Sequence, residues 1–470
     1  MATTTTTATA PESPHPATPS ESPAGPVDDG VPIVEPPAVT MPRLLQLIHF
    51  SQRQIEFVFR ARRELGEVFK MNAGISGSVV VTSHPDHARS LFTAKPGSVP
   101  SLTGESALRP IVGPDSVLTT NGEAHLRQRR LLLPSFHGDA IDRYTDRIRD
   151  ATEREIDTWP IGTPFALAPR MQAITMQVIM SGIFGIDGAP ARGTPEHRLA
   201  SAIKYLTIAS TSWWAKIAEI ANTNHPEPVG LNRIAIGGLD RAIFAVIDGR
   251  RCAEDLQDRD DILSLLLAVT DEDGRPLGDR QIRDQLVTLL LAGFETTANS
   301  LAWAWERLLR TPEAHDVLIS AVRDDNDADE HVDATIYETM RCRPVVPIVG
   351  RRVATAWQLG DYVLPASTAI AVSILLLHHR EDLYAAPFSF RPDRWHGRTP
   401  GTYEWIPFGG GTRRCLGATL AMAEQRIVLN TMARRLDLRA DGPEPEHAQH
   451  RNVTMIPAHG ARAILDHRRS

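Results

Sequence analysis

From Gln46 to Leu65 apolar and polar residues alternate at helical spacing, which predicts a helix where the patterned chain begins. Val79, Val80 and Val81 follow Gly77 and predict a short strand. From about Asp139 to Ser320 the pattern is mostly helical. Its longest unbroken stretch opens at Asp279, an N-cap residue type, and runs to Arg310. Thr311-Pro312 then starts a new helix with Pro at its first position. At 1.5 Å per residue the 279–310 helix would be roughly 48 Å long, enough to cross a whole domain. After Pro344 the chain becomes irregular and proline-rich, with a strand predicted at Thr368 to Leu375 and a last helix just after Cys415. The fold class is mainly α with a small β component.

Composition changes this picture at one end. Residues 1–40 hold nine of the 35 prolines, a threonine run from Thr3 to Thr7 and no aromatic residue. Such a segment buries too little surface to offset its ordering entropy, so a disordered tail is expected over 1–40 and one large domain over 41–470. With 42% hydrophobic residues, the remainder has material for a large core. The formal charge of -7, without any basic run, argues against a nucleic-acid partner. Cys252, Cys342 and Cys415 are too few for a disulfide framework and fit a reducing cytosol. Leu286 to Phe294 and Ala369 to Leu377 fall short of the ~18 apolar residues of a membrane span. The N-terminus is not patterned as a secretory signal. A cytoplasmic protein without a transmembrane anchor is expected.

Two stretches carry chemistry. In Phe408-Gly409-Gly410-Gly411-Thr412-Arg413-Arg414-Cys415-Leu416-Gly417, consecutive glycines allow a tight turn and close approach of backbone to a flat ligand. Cys415 sits where a helix starts, with Leu416, Leu420, Ala423 and Ile427 as its apolar face, and helix start and arginines favour a thiolate. By itself this could be a core cysteine beside a glycine turn. In Ala292-Gly293-Phe294-Glu295-Thr296-Thr297, mid-way along the long helix, glycine costs about 1 kcal/mol relative to alanine and an unpaired buried Glu more. A solvent-facing Glu with two incidental threonines is the alternative there.

The cysteine stretch resembles the cytochrome P450 haem-binding signature F-G-x-G-x-R-x-C-x-G at every fixed position, and the helix stretch resembles that family's A-G-x-[DE]-T-T. The resemblance implies the cytochrome P450 fold and haem b (iron protoporphyrin IX) bound through Phe408, Gly409, Arg413, Cys415 and Gly417. Cys415 would be the iron ligand and Arg413 would pair with a propionate. It implies that Gly293 makes room for O2 while Thr296 and Glu295 organise protons.

Further elements resemble the family in order. Glu338 and Arg341, three apart on one helix face, would join Arg394 of Phe390-Arg391-Pro392-Asp393-Arg394-Trp395 in a structural triad, although such pairs are also common on solvated surfaces. His125 and Arg129 share a helix face and could both reach a propionate, or belong to a basic surface helix. Arg352 is a further propionate candidate.

The implied activity is insertion of one O2 atom into a lipophilic small molecule. Its electrons would come from NAD(P)H through a separate ferredoxin and ferredoxin reductase, docked on Arg127, Arg130 and Arg414. The substrate pocket is expected from Ser101 to Val117, Tyr205 to Ile217, Leu289 to Ala292 and Val345 to Val349, with Trp213 and Trp214 prominent. A peroxide-driven peroxygenase and a non-catalytic haem sensor are the alternatives.

Overall fold

A computed structural model describes residues 21–469 except Asp29, residues 75–76, Ala107, His137, Ala189, residues 211–221 and 223–224, Pro226, residues 271–273 and Asn452. Trp213 and Trp214 therefore lie outside the described residues. The long helix is present as Asp279–Leu309, with Gly278 rather than Asp279 as its N-cap. It crosses the molecule against Leu167–Phe184 and also meets Ala418–Arg435 and Ala328–Cys342. Leu286, Val287, Leu290, Leu301 and Trp305 on it are buried at the centre of the largest apolar cluster. Burying each such side chain contributes about 1.5–3 kcal/mol.

The helix also buries polar residues near its start, and these find partners in the loop before Asn121. Asp284 accepts from the Asp115 amide (3.1 Å) and Gln285 from the Val117 amide (3.1 Å). The Thr288 and Ser116 hydroxyls meet at 2.6 Å. These contacts fix the loop whose carbonyls reappear below as part of the site.

The predicted helix over Gln46 to Leu65 is two helices, Arg43–Gln52 and Gln54–Leu65, broken at Arg53 (φ -137°, ψ 49°). The valine strand spans Gly77–Thr82. It lies in a four-stranded sheet between Val68–Gly74 and Ala369–Ser373, with Ile348–Arg352 outermost. The strand predicted to Leu375 ends at Ser373, whose hydroxyl caps a helical turn over Ile374–Leu377. Among the described residues three smaller sheets complete the β component. Among the described residues no helix is long and apolar enough to cross a membrane.

The expectation of a disordered tail over 1–40 needs correction for its second half; residues 1–20 lie outside the described residues. Ala24–Pro26 pairs antiparallel with Trp357–Leu359, extending the sheet formed with Tyr362–Leu364. The Val34 and Val363 backbones bond to each other twice at 3.0 Å. The Ser22 amide donates to Asp86 (3.2 Å), and the Ser22 hydroxyl contacts the His87 ring (2.9 Å). The reason is that pairing on an existing sheet edge uses backbone groups. The segment needs no apolar core of its own, and composition could not reveal the edge.

Candidate active site

The cysteine loop folds back on itself through short-range backbone bonds. The Cys415 amide donates to the Phe408 carbonyl (3.0 Å), Arg414 to Gly411 (3.1 Å) and Gly409 to Ile406 (2.9 Å). Gly411 has φ +62°, and a Cβ there would fall on the Phe92 carbonyl of the helix Pro85–Thr93. Glycine is thus required both for the turn and for the approach of that helix. The Phe408 ring packs edge-on to Trp405 and beneath the Arg414 guanidinium. Gly417 caps the helix Ala418–Arg435, so the helix starts three residues after the cysteine rather than at it.

Cys415 is exposed by surface area, yet protein encloses it and burial raises its thiol pKa above the ordinary value. Exposed surface on a sulfur that burial desolvates is what an enclosed space beside it would give. The Gly417 amide, then Arg414 and Arg129, pull the pKa the other way. A metal cation at the sulfur would supply the charge that tips it to thiolate. Among the described residues no group of three or more His, Cys, Asp or Glu side chains could hold a metal. A porphyrin brings four of its iron's ligands with it and asks one of the protein, which a single cysteine can supply.

A second feature fits the same group. His125, Arg351 and Arg413 are gathered between Asn121 and Phe92, and among the described residues no acidic side chain is paired with them. Arg413 donates only to oxygens of the 117–121 segment, the Val117, Leu118 and Thr120 carbonyls and the Asn121 side chain. Arg351 donates to the Gly350 carbonyl and lies over the Phe92 ring at 5.3 Å. Burial, then Arg351 and Arg129, bring Arg413 down to about 10. Burial alone brings Arg351 to about 10. Burial, then Arg413, Arg129 and Arg351, hold His125 down to about 4. Such a cluster lacks its counter-charge, and two propionates match it.

The sequence expectation for Arg352 is corrected here. Successive strand residues face opposite ways. Arg351 of Ile348–Arg352 turns toward Arg413, while Arg352 forms an ion pair with Glu105 (2.6 Å) and donates to the Ser367 carbonyl. Arg129 is likewise spent on the Arg414 carbonyl (2.6 Å), tying its helix to the cysteine loop. A charge-assisted hydrogen bond is worth about 1.5–3 kcal/mol. Arg351→Gln should therefore speed haem transfer to apomyoglobin by roughly tenfold or more. Arg352→Gln, which breaks a partly exposed pair, should change it by less than about threefold. Equal rates in the two variants would return the assignment to neither arginine.

On the long helix Ala292 is exposed and Gly293 and Thr296 half-buried, although Leu290, Phe294 and Thr297 around them are buried. The Thr296 hydroxyl donates to the Ala292 carbonyl (2.7 Å), leaving its lone pairs on that face. A Cβ at Gly293 would meet the Ile179 side chain of Leu167–Phe184, so the glycine admits the close crossing of these two helices. Glu295 is half-buried and paired. It accepts from Arg451 (2.6 and 3.0 Å) and from the Thr454 hydroxyl (3.3 Å) in the hairpin Ala448–Arg451 and Thr454–Pro457.

Below the loop, Glu338 and Arg341 are fully buried and doubly hydrogen-bonded at 2.8 Å. Arg394 joins them at 3.1 Å, and Trp395 Nε1 (3.0 Å) and the Arg391 amide (2.8 Å) also donate to Glu338. Arg341 donates onward to the His378 carbonyl. Burial and Arg341 hold His378 down to about 3, so its neutral ring accepts from the Ile406 amide at 2.8 Å through Nε2. The triad thus reaches the backbone two residues before Phe408.

Comparison with known proteins agrees with this arrangement. The family model described as Cytochrome P450 matches residues 32–463. The chain is 36% identical over 439 residues to cytochrome P450 135B1 of Mycobacterium tuberculosis, covering 91% of this chain and 90% of that one. It is 35% identical over 444 residues to cytochrome P450 138 of the same species, covering 92% and 96%. Among solved structures, the retinoic acid-bound cyanobacterial CYP120A1 superposes with a TM-score of 0.77 at 20% identity, over 93% of this chain and all of that one.

Proposed function

Because the chain belongs to the cytochrome P450 family of haem-thiolate monooxygenases, we propose that it oxygenates a lipophilic small molecule in the cytoplasm, using O2 and electrons passed from NAD(P)H by a ferredoxin reductase and a ferredoxin. The observation that carries the site assignment is the pairing of an inward-facing Cys415 with an uncompensated cluster of His125, Arg351 and Arg413. Cys415 would hold the iron. Arg351, Arg413 and His125 would hold the propionates. Phe408, Gly409 and Gly417 would shape the loop around the sulfur. The haem supplies the O2 and one-electron chemistry.

The remaining roles belong to the protein. Thr296 directs its own proton to the Ala292 carbonyl, so its hydroxyl oxygen is free to accept a hydrogen bond and would hold a proton-carrying water beside the haem. Glu295, the preceding residue on the helix, has its carboxylate held by Arg451. Leu102, Leu108, Ile111, Val346 and Ile348 are half-buried apolar side chains in the segments expected to meet substrate, which supports a lipophilic ligand. Arg127, Arg130 and Arg414 are exposed, and Arg129 binds the helix of the first two to the cysteine loop. A cationic face at that point suits an acidic electron donor.

The test is Thr296→Ala, compared with wild type on any accepted substrate, reading product formed per reduced cofactor consumed with a surrogate ferredoxin system. Losing a positioned proton donor typically costs about 10²–10⁴-fold in the assisted step. The ratio should fall at least several-fold, with hydrogen peroxide appearing in place of product. Peroxide-driven turnover should suffer less. An unchanged ratio would remove Thr296 from the mechanism and favour a peroxygenase, which does not need that proton.

A further inference from the structure

The helix Arg43–Gln52 is inside out. Among its described side chains the one that is buried is polar. The Gln46 amide donates to the Val39 and Met41 carbonyls (3.2 and 2.6 Å), and its oxygen accepts from the Asn72 amide (2.7 Å). Every polar atom of that side chain is satisfied against the body of the protein. Leu44, Leu45, Leu47 and Ile48 are exposed, Leu44 by 69%. At 3.6 residues per turn these four cover an arc of roughly 160° centred opposite Gln46. The extended segment leading in exposes Val31, Ile33 and Val34 as well. Seven of the fourteen large apolar side chains exposed among the described residues thus fall between Val31 and Ile48. Scattered single apolar residues on a surface need no explanation, but a helix that turns its leucines outward does.

Charge and length say what covers this face. Between Glu35 and Glu56 there is no acidic residue, whereas Arg43, His49 and Arg53 all lie exposed in that interval. Arg43 stands at the first turn, and Arg53 just past the last turn shares a long exposed contact with Glu56 (3.6 Å). An apolar arc bordered by cations, on a ten-residue helix too short to span, matches a segment lying in the plane of a bilayer interface. Cationic borders favour anionic headgroups. We propose that the helix Arg43–Gln52 seats the protein on an anionic lipid surface, its leucine face in the acyl boundary and Arg43 among the headgroups. The docking uses no residue assigned to the haem or to oxygen chemistry, so it stands or falls apart from them.

The haem-loaded full chain is mixed with vesicles of phosphatidylcholine alone, or with added phosphatidylglycerol, and sedimented. Wild type should pellet with the anionic vesicles and bind neutral ones at least about tenfold more weakly, with high salt narrowing the difference. The double variant Leu44→Ser/Ile48→Ser, both positions being exposed, should keep the wild-type circular dichroism and lose about tenfold or more in vesicle affinity. Arg43→Glu should lose the preference for anionic vesicles. Wild type remaining in the supernatant with both vesicle types would overturn the proposal, as would a double variant that binds like wild type. So would a vesicle-free dimer, seen by sedimentation velocity, that the double variant dissolves, because a second copy of the chain would then occupy the face.

Discussion

Cys415→Ala is expected to abolish the thiolate-type Soret band of the reduced, carbon monoxide-bound protein and all turnover, while Cys252→Ala and Cys342→Ala leave both intact. The expectation rests on where the three sulfurs sit. Cys252 is exposed at the end of the helix Leu231–Arg251. Cys342 is buried, and burial together with the nearby Glu338 carboxylate pushes its thiol up to about 11, so it stays protonated. Its sulfur also lies 2.9 Å from an Arg341 nitrogen, inside the triad. Only Cys415 combines an opening to internal space with a backbone donor and two guanidinium groups that favour the thiolate. Cys415→His separates loss of the ligand from loss of the pocket. It should retain haem through an imidazole while still lacking the thiolate band. If Cys342→Ala also removed the band in a folded protein, the ligand assignment would be wrong.

Arg341→Ala and Glu338→Ala should each yield little haem-loaded protein. Removing one member of a buried pair leaves the other charged and unpaired, at a cost of about 3–5 kcal/mol. That is comparable to the whole margin of many domains. Here the loss spreads, because Arg341 also holds the His378, Pro387 and Ser389 carbonyls, and His378 in turn holds Ile406. Trp395→Phe is the graded control. It removes one hydrogen bond to Glu338 and should cost only about 1–3 kcal/mol. Thermal denaturation and haem content of the three variants check the order. Normal stability in both alanine variants would show that the buried network contributes little, despite its geometry.

What was legible in the sequence follows from how local each signal is. The cysteine loop and the centre of the long helix are written in consecutive residues, so their resemblance to two family motifs located them. Glu338 and Arg341 are three apart on one helix and were legible as a pair, whereas Trp395 as a further donor to Glu338 was not. Arg451 lies 156 residues from Glu295 in sequence and pairs with it only through tertiary folding. No local pattern announces that contact. The neighbouring arginines Arg351 and Arg352 show a finer limit. Both are cationic, both lie on one strand, and only the face each takes decides which meets Arg413. Face is set by the register with Ala369–Ser373. Gly293 also lies against Ile179 of a helix more than a hundred residues earlier, a neighbour that residue type alone does not announce.

The pairing of Ala24–Pro26 on Trp357–Leu359 bears on how the protein behaves when shortened. A chain trimmed at residue 41, the boundary expected from composition, would keep every site residue and appear harmless. It would also uncover the outer edge of the Trp357–Leu364 hairpin, presenting unpaired backbone groups beside the buried Trp357 and Leu359. Such an edge is a template for strands from other molecules. Self-association into aggregates, rather than a catalytic defect, is the failure that this trimming invites.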